Sequence, residues 1–287
     1  MRVEADCIPC YLKQTISTLR VAGIKEDKIN EFIYGILDMI PSLSLCATPC
    51  ENSSIILHRI YELLGDKDPY MDAKRKWNEY ALSQYDNFLR LLEKYEDRLM
   101  GAFKISVAGN IIDMGITPDF DVGLALNEIA GKKFDHSDYA EFKTMLKGAG
   151  SILFIGDNSG EIVFDRVLAE ELLRCGVKVV YAVKGSPILN DATYEDAEQA
   201  GLASICDIID TGNKFLGVSY ERCSQEFLTV LKKADIVIAK GQANFESMEG
   251  SSLAGSKTFF VLRAKCRLVA GCLGVRLGDI VLKRNRS

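Results

Sequence analysis

The chain has 287 residues, 48% hydrophobic and 26% charged, enough to bury a real core in one large domain or two modest ones. Its net charge of −5, from 35 basic and 40 acidic residues, argues against nucleic acid as a partner. No run approaches the ~18 consecutive apolar residues that cross a bilayer, so a membrane is not expected either. The opening MRVEADCIPC carries an acidic pair and no apolar signal core, which leaves the cytoplasm as the expected location. Nine cysteines, an odd number without a secretory signal, speak against a disulfide framework.

Up to residue 149 the pattern is helical. In DKINEFIYGILDMI, the residues Ile29, Phe32, Ile33, Ile36, Leu37 and Ile40 share one helical face, and Pro41 ends the segment. In SSIILHRIYELLG, Ile56, Ile60, Leu63 and Leu64 repeat the spacing, and Gly65 supplies a C-cap. The stretch DAKRKWNEYALSQYDNFLRLLEKYEDRL reads as one long helix with Trp77, Ala81, Phe88, Leu91 and Leu92 on its apolar side. No strand is predicted in this half. From residue 151 the rhythm changes to Val/Ile-rich runs at Ile152–Ile155, Val177–Val183, Ile205–Ile209, Ile236–Ala239 and Phe259–Leu262, with helical patterns between the first four. Starts about 25–30 residues apart match a strand plus a crossover helix. GDIVLK offers a further edge strand. The spacing predicts a Rossmann-like, mainly parallel three-layer α/β/α sheet over residues 150–287, with a helical N-terminal region over 1–149 packed on it.

Ligands of such sheets bind beyond the carboxyl ends of the strands. The first strand is followed by Gly156-Asp157-Asn158-Ser159-Gly160-Glu161. The second is followed by Lys184, Gly185, Asn190 and Asp191, the third by Asp210-Thr211-Gly212, and the fourth by Lys240, Gly241, Asn244 and Glu246. Turn chemistry explains any one of these loops. It explains less well carboxylates, amides and lysines collected along one edge.

The chemistry can be narrowed. The dinucleotide fingerprint, the P-loop and the G-x-S-x-G elbow are all missing, and the two histidines, His58 and His136, lie in the helical half. What remains is oxygen-rich. Asp157, Asn158 and Asp191 suit a hard divalent cation such as Mg²⁺ or Mn²⁺. Lys240 offers a point charge for an anion, and the backbone N–H groups at Gly160 and Glu161, at a helix start, attract the same anion. Together they read as metal-assisted phosphoryl chemistry.

GDNSGE, KGSPILNDAT, KGQANFE and the earlier AGNIID occur in the order found in the damage-control phosphatases, once called domain of unknown function 89, and the chain resembles that family over nearly its whole length. CIPC suggests the microbial branch with an N-terminal Cys-x-x-Cys pair. The resemblance implies a helical region on a Rossmann-like sheet. It implies hydrolysis of small phosphorylated metabolites, such as sugar phosphates or damaged and side-product phosphates, with Mg²⁺, Mn²⁺, Co²⁺ or Ni²⁺. It assigns the metal to Asp157, Asn158 and Asp191. Substrate contacts fall to Lys240, Gly241, Asn244, Gly160, Glu161 and Asn110. Apart from the resemblance, the stretch LRAKC after the last long strand offers Lys265, either a cation that reaches a substrate anion or a solvated charge. Asp157, Asp113 and Glu246 are the carboxylates from which the water-activating or attacking group would come. Methyl transfer from S-adenosylmethionine to a carboxyl group, an activity also ascribed to a relative, and metabolite binding without turnover are the alternatives. The first lacks a glycine-rich loop after the first strand.

Cys7 and Cys10 of CIPC, with Cys46 and Cys50 of CATPC, leave three readings open: helix packing, a structural zinc site, or redox pairing.

Overall fold

The computed structural model describes residues 1–111 and 134–286. Asp113, one of the three carboxylates expected to act on water, lies outside them.

Among the described residues six helices come first: α1 (Cys7–Val21), α2 (Glu26–Met39), α3 (Pro49–Leu63), α4 (Met71–Ser83), α5 (Tyr85–Leu92) and α6 (Arg98–Ile111). The single long helix expected over 72–99 is broken twice, between α4 and α5 at Gln84 and again before α6. The breaks let Ala81, Phe88, Leu92 and Leu99 all reach the same core, which one straight rod could not follow. Gly65 stands just past α3 at φ +77, the left-handed position that its lack of Cβ makes cheap.

Seven strands form one sheet: β1 (His136–Ser137), β2 (Ser151–Ile155), β3 (Lys178–Val183), β4 (Asp207–Asp210), β5 (Ile236–Lys240), β6 (Thr258–Arg263) and β7 (Ile280–Arg284). Their order is β1-β7-β6-β5-β2-β3-β4. All neighbours are parallel except β6 and β7. The Rossmann-like three-layer arrangement is therefore present, with two corrections. A short strand, β1, does lie in the stretch read as purely helical. Two residues are too few to show periodicity, and their strand state comes from pairing His136 with Val281 and Ser137 with Leu282. That pairing also moves GDIVLK from the sheet edge to an inner position.

The helices α7 (Tyr139–Leu146), α8 (Glu161–Arg174), α9 (Tyr194–Gln199), α10 (Gln225–Lys233), α11 (Gln242–Met248) and α12 (Arg267–Leu273) complete the layers. Alternate residues of β2 serve the two faces: Ile152 and Phe154 meet the core under α4–α8, whereas Leu153 and Ile155 meet the one under α10–α12. Helix α8 is buried nearly all round because α6 covers it from outside, pressing closest at Gly109, where an added Cβ would stand 3.0 Å from Glu161 Cγ. Helices α1–α3 form their own apolar cluster, which reaches the sheet layer through Leu268 on α12.

The order of strands fixes where a ligand can sit. From β2 the chain winds outward through β3 to β4. It then returns to β5 on the other side of β2 and winds away through β6. The loops leaving β2 and β5 part in opposite directions, opening the crevice where doubly wound sheets bind their ligands.

Phe142 ties α7 to both α6 and the sheet. Its ring meets Phe103 at 4.9 Å and Phe259 at 5.1 Å, each edge to face, and is fully buried. Phe142→Ala should cost about 3–5 kcal/mol of stability, read as a lower urea midpoint with little change in m.

Candidate phosphate and metal site

Residue types at the crevice follow from how the elements end. Lys240 is the last residue of β5, and its side chain is fully buried. Glu161 and Asp165 stand one turn apart on α8 and so share a face. That face points at Lys240: Nζ donates to Glu161 Oε1 at 2.6 Å, to Asp165 Oδ1 at 2.5 Å and to the Ser106 carbonyl at 3.1 Å. Burial by itself would lower the Lys240 pKa, but the two carboxylates outweigh it and hold the ammonium above its ordinary value. Asp165 also accepts from the hydroxyls of Ser106 (2.6 Å) and Tyr181 (2.8 Å).

Above this group lies Asp157. It is almost wholly buried in the loop leaving β2, and Asn110 of α6 donates to both Asp157 Oδ2 (3.1 Å) and Glu161 Oε2 (3.2 Å). Asn110 is itself held by Arg263 N–H, which donates to its Oδ1 at 3.1 Å. Gly241 packs so tightly on Asp157 that a Cβ there would overlap the carboxylate, and its φ of +80 excludes ordinary side chains as well. Asn158 and Asp191 are brought together by an antiparallel bridge between their loops. Ser159 N–H donates to the Asn190 carbonyl, and Ala192 N–H to that of Asp157. Lys184 stands 3.6 Å from Asp191 Oδ2 and donates to the Gly217 carbonyl.

Charge does not balance here. Asp157, Glu161, Asp165 and Asp191 are four buried carboxylates, set against two buried ammonium groups, Lys240 and Lys184. Burial, then Glu161 and Asp191, push the Asp157 pKa well above the usual carboxylate range. Burial likewise raises Asp191 to about 6 against the pull of Lys184. Asp191 Oδ2 and Asn244 Oδ1 are buried without a hydrogen-bond partner. Among the described residues no three His, Cys, Asp or Glu side chains form a ready cluster. The oxygen set of Asp157, Asn158 and Asp191 is two carboxylates and an amide. These residues fit a hard divalent cation, which their charge surplus and the orphaned Asp191 oxygen would accept.

Several roles expected from sequence fall differently. All three donors of Lys240 are taken inside the fold, so none is left for a phosphate, and the residue acts as the counter-ion of α8. The Gly160 N–H is likewise engaged, donating to Asn78 Oδ1 at 2.6 Å. Asn244 binds the carbonyls of Gly156 (3.0 Å) and Lys240 (2.7 Å) and so staples β2 to β5. Glu246 sits two residues further along α11, a spacing that turns it to another side of the helix. It accepts from Gln242 at 2.8 Å and faces the N-terminal helices, apart from Asp157. Lys265 is the expected cation that does face solvent, close enough for its charge to pull Asp157 downward. Neither histidine enters: His58 bonds the Lys214 carbonyl and His136 bonds Asp138.

Sequence reasoning missed Lys74, Asn78, Ser106, Asp165 and Asp196, whereas Lys184 was expected on this sheet edge. Asn78 donates to Asp196 Oδ1 (2.8 Å) while accepting from Gly160, and Lys74 reaches Asp196 Oδ2 at 3.1 Å. A signal was present. Lys74/Asn78, Ser106/Asn110 and Glu161/Asp165 are polar pairs four apart, each on the buried face of a helix.

Lys240→Met should destabilise the protein by about 3–5 kcal/mol, since it strands two buried carboxylates. Denaturant unfolding checks this. A Lys240 that merely touched substrate would instead alter KM with stability unchanged.

Residues 3–281 match the damage-control phosphatase ARMT1-like domain family. The chain is 35% identical to a damage-control phosphatase of Pyrococcus horikoshii, over all of this chain and 99% of that one. It is 30% identical to a damage-control phosphatase of Archaeoglobus fulgidus, over 99% of each. An Arabidopsis thaliana damage-control phosphatase is 28% identical over 99% of this chain and 87% of its own. The crystal structure of a DUF89-family protein from P. horikoshii superposes over the full length of both chains with a TM-score of 0.91 at 32% identity. The chain belongs to the damage-control phosphatase family with the ARMT1-like domain.

Proposed function

We propose that the protein is a phosphatase dependent on a divalent metal (Mg²⁺, Mn²⁺, Co²⁺ or Ni²⁺) that hydrolyses small phosphorylated metabolites, sugar phosphates or damaged and side-product phosphates among them. Membership of a phosphatase family supports the reaction class. The observation that carries the metal is the surplus of buried carboxylate over ammonium at the crevice between β2 and β5.

Asp157, Asn158 and Asp191 would hold the cation. When bound, it supplies Lewis acidity toward a phosphate oxygen and a lowered pKa for water. The chain's own groups do the rest. Asn110 fixes Asp157 Oδ2, so that carboxylate presents one defined face to the crevice. Lys240 and Asn78 hold the start of α8 from two sides and leave it little freedom to rearrange. Lys265, exposed at the rim, is the group suited to meet an incoming phosphate. Glu246 is turned aside, so of the described carboxylates Asp157 is best placed to direct the attacking water. The loop after β2 is Asp-Asn-Ser-Gly-Glu, with no glycine-rich cradle for S-adenosylmethionine, which disfavours methyl transfer.

Phosphate release from an ester panel, with each metal and with chelator, tests this. Asp157→Ala and Asp191→Ala should each lower metal-dependent release by about 10²–10³-fold or more, the scale of losing one preorganised charge. Release that persists in chelator, or in either variant, sinks the reading. Binding of the esters without release would point to a sensor.

The pH dependence has a defined sign. A carboxylate whose pKa is raised by folding favours the folded state only while protonated. Without metal, the contribution of Asp191 to stability should therefore fall as pH rises from its unfolded value, ~3.9, through about 6. Protons compete with the cation over the same window. Mn²⁺ should raise the melting temperature more at about pH 7.5 than at about pH 5; an equal shift at both would exclude Asp191 as a ligand.

A further inference from the structure

The cysteines of CIPC are not absorbed by this chemistry, and the structure gives them a different companion from the one their sequence suggested. Cys46 is exposed in the loop before α3. The thiol on the neighbouring side is Cys266, the N-cap of α12, whose next helical residues border the same region. The two elements pack together there. Leu268 joins the apolar cluster of Cys7, and Met1 packs into the cluster that Cys266 borders. Burial raises the pKa of both Cys7 and Cys10. Cys266 Sγ accepts from Val269 N–H (3.4 Å) and from the Gln242 amide (3.5 Å). The same Gln242 binds Glu246 and, through its oxygen, Lys265 N–H at 3.0 Å.

Cys7 is the first residue of α1 and Cys10 stands three further on. In helical geometry their Cα atoms are roughly 5 Å apart, inside the ~4.4–6.8 Å range a disulfide needs. Cys7 is buried, whereas Cys10 is exposed and therefore not a packing residue. The groups do not converge as a metal cluster among the described residues. We propose that Cys7 and Cys10 form a dithiol–disulfide site, entered through Cys10 and oxidised by a low-molecular-weight disulfide.

The balance is that of thiol–disulfide exchange. The Cys10 thiolate attacks RSSR, forming a Cys10–SR bond and releasing one thiol. Cys7 gives its proton to solvent and attacks Cys10 Sγ, and the second RSH leaves. The protein loses two electrons and two protons, and RSSR becomes two RSH. Burial and the neighbouring thiols and carboxylate raise both pKa values, so exchange is slow at neutral pH and quickens as pH rises.

Equilibrating the full chain in glutathione redox buffers, then alkylating and mapping peptides by mass spectrometry, tests the site. The expected result is one two-electron transition in which two of the nine thiols escape alkylation and a linked Cys7–Cys10 peptide appears. Cys7→Ser should halt the reaction with one glutathione on Cys10, and Cys46→Ser should change nothing. Nine alkylatable thiols at every potential would overturn the proposal. So would linkage of Cys10 to Cys266, or a bound metal that shields all three. Because the readout is thiol chemistry, it stands or falls apart from the phosphatase reading.

Discussion

The Lys240 ammonium is the interaction on which this structure depends. It is fully enclosed, and an enclosed charge is tolerable only with partners of opposite sign and with every donor used. Glu161, Asp165 and the Ser106 carbonyl meet that demand from α8 and α6, while the lysine itself ends β5. A central strand, the first crossover helix and the outer helix covering it are therefore locked at one atom.

Everything above that atom is arranged around what the ion group leaves over. Glu161 is shared: one oxygen goes to Lys240 and the other to Asn110, which also binds Asp157. Asp191 reaches the same crevice through the bridge with Asn158 and meets Lys184. The surplus negative charge collects at the opening between β2 and β5, where the reversal of strand order already leaves space. Position comes from topology, and appetite for a cation comes from unbalanced charge.

The N-terminal helices are part of the site and do more than cover it. Helix α4 fixes the start of α8 through Asn78, and α6 supplies Asn110 and the backbone of Ser106. Helix α3 is bonded to the loops after β3 and β4: Tyr61 accepts from Leu189 N–H and Ser54 from Leu216 N–H. A crevice gripped from outside by several helices is held rigid, which suits a reaction limited by positioning and charge.

The amino-acid sequence by itself determined the strand-and-crossover rhythm, the helical character of the first half, and the loops in which Asp157, Asn158 and Asp191 would be found. Those features depend on short-range periodicity and on turn chemistry, both readable along the chain. Tertiary structure decided the rest. Lys240 follows a Val/Ile run and precedes a glycine, so in sequence it resembles a loop lysine awaiting an anion. Only the packing of α8 on β5 shows that its charge is spent on Glu161 and Asp165. Glu246 shares a motif with Asn244, yet two residues along a helix turn it toward different neighbours. Cys266 and Cys10 lie near opposite ends of the chain, and no local pattern links the helices that carry them. Sequence shows which groups are available; which of them lose their water together, and so whose charges must be satisfied by one another, is settled only when the layers close.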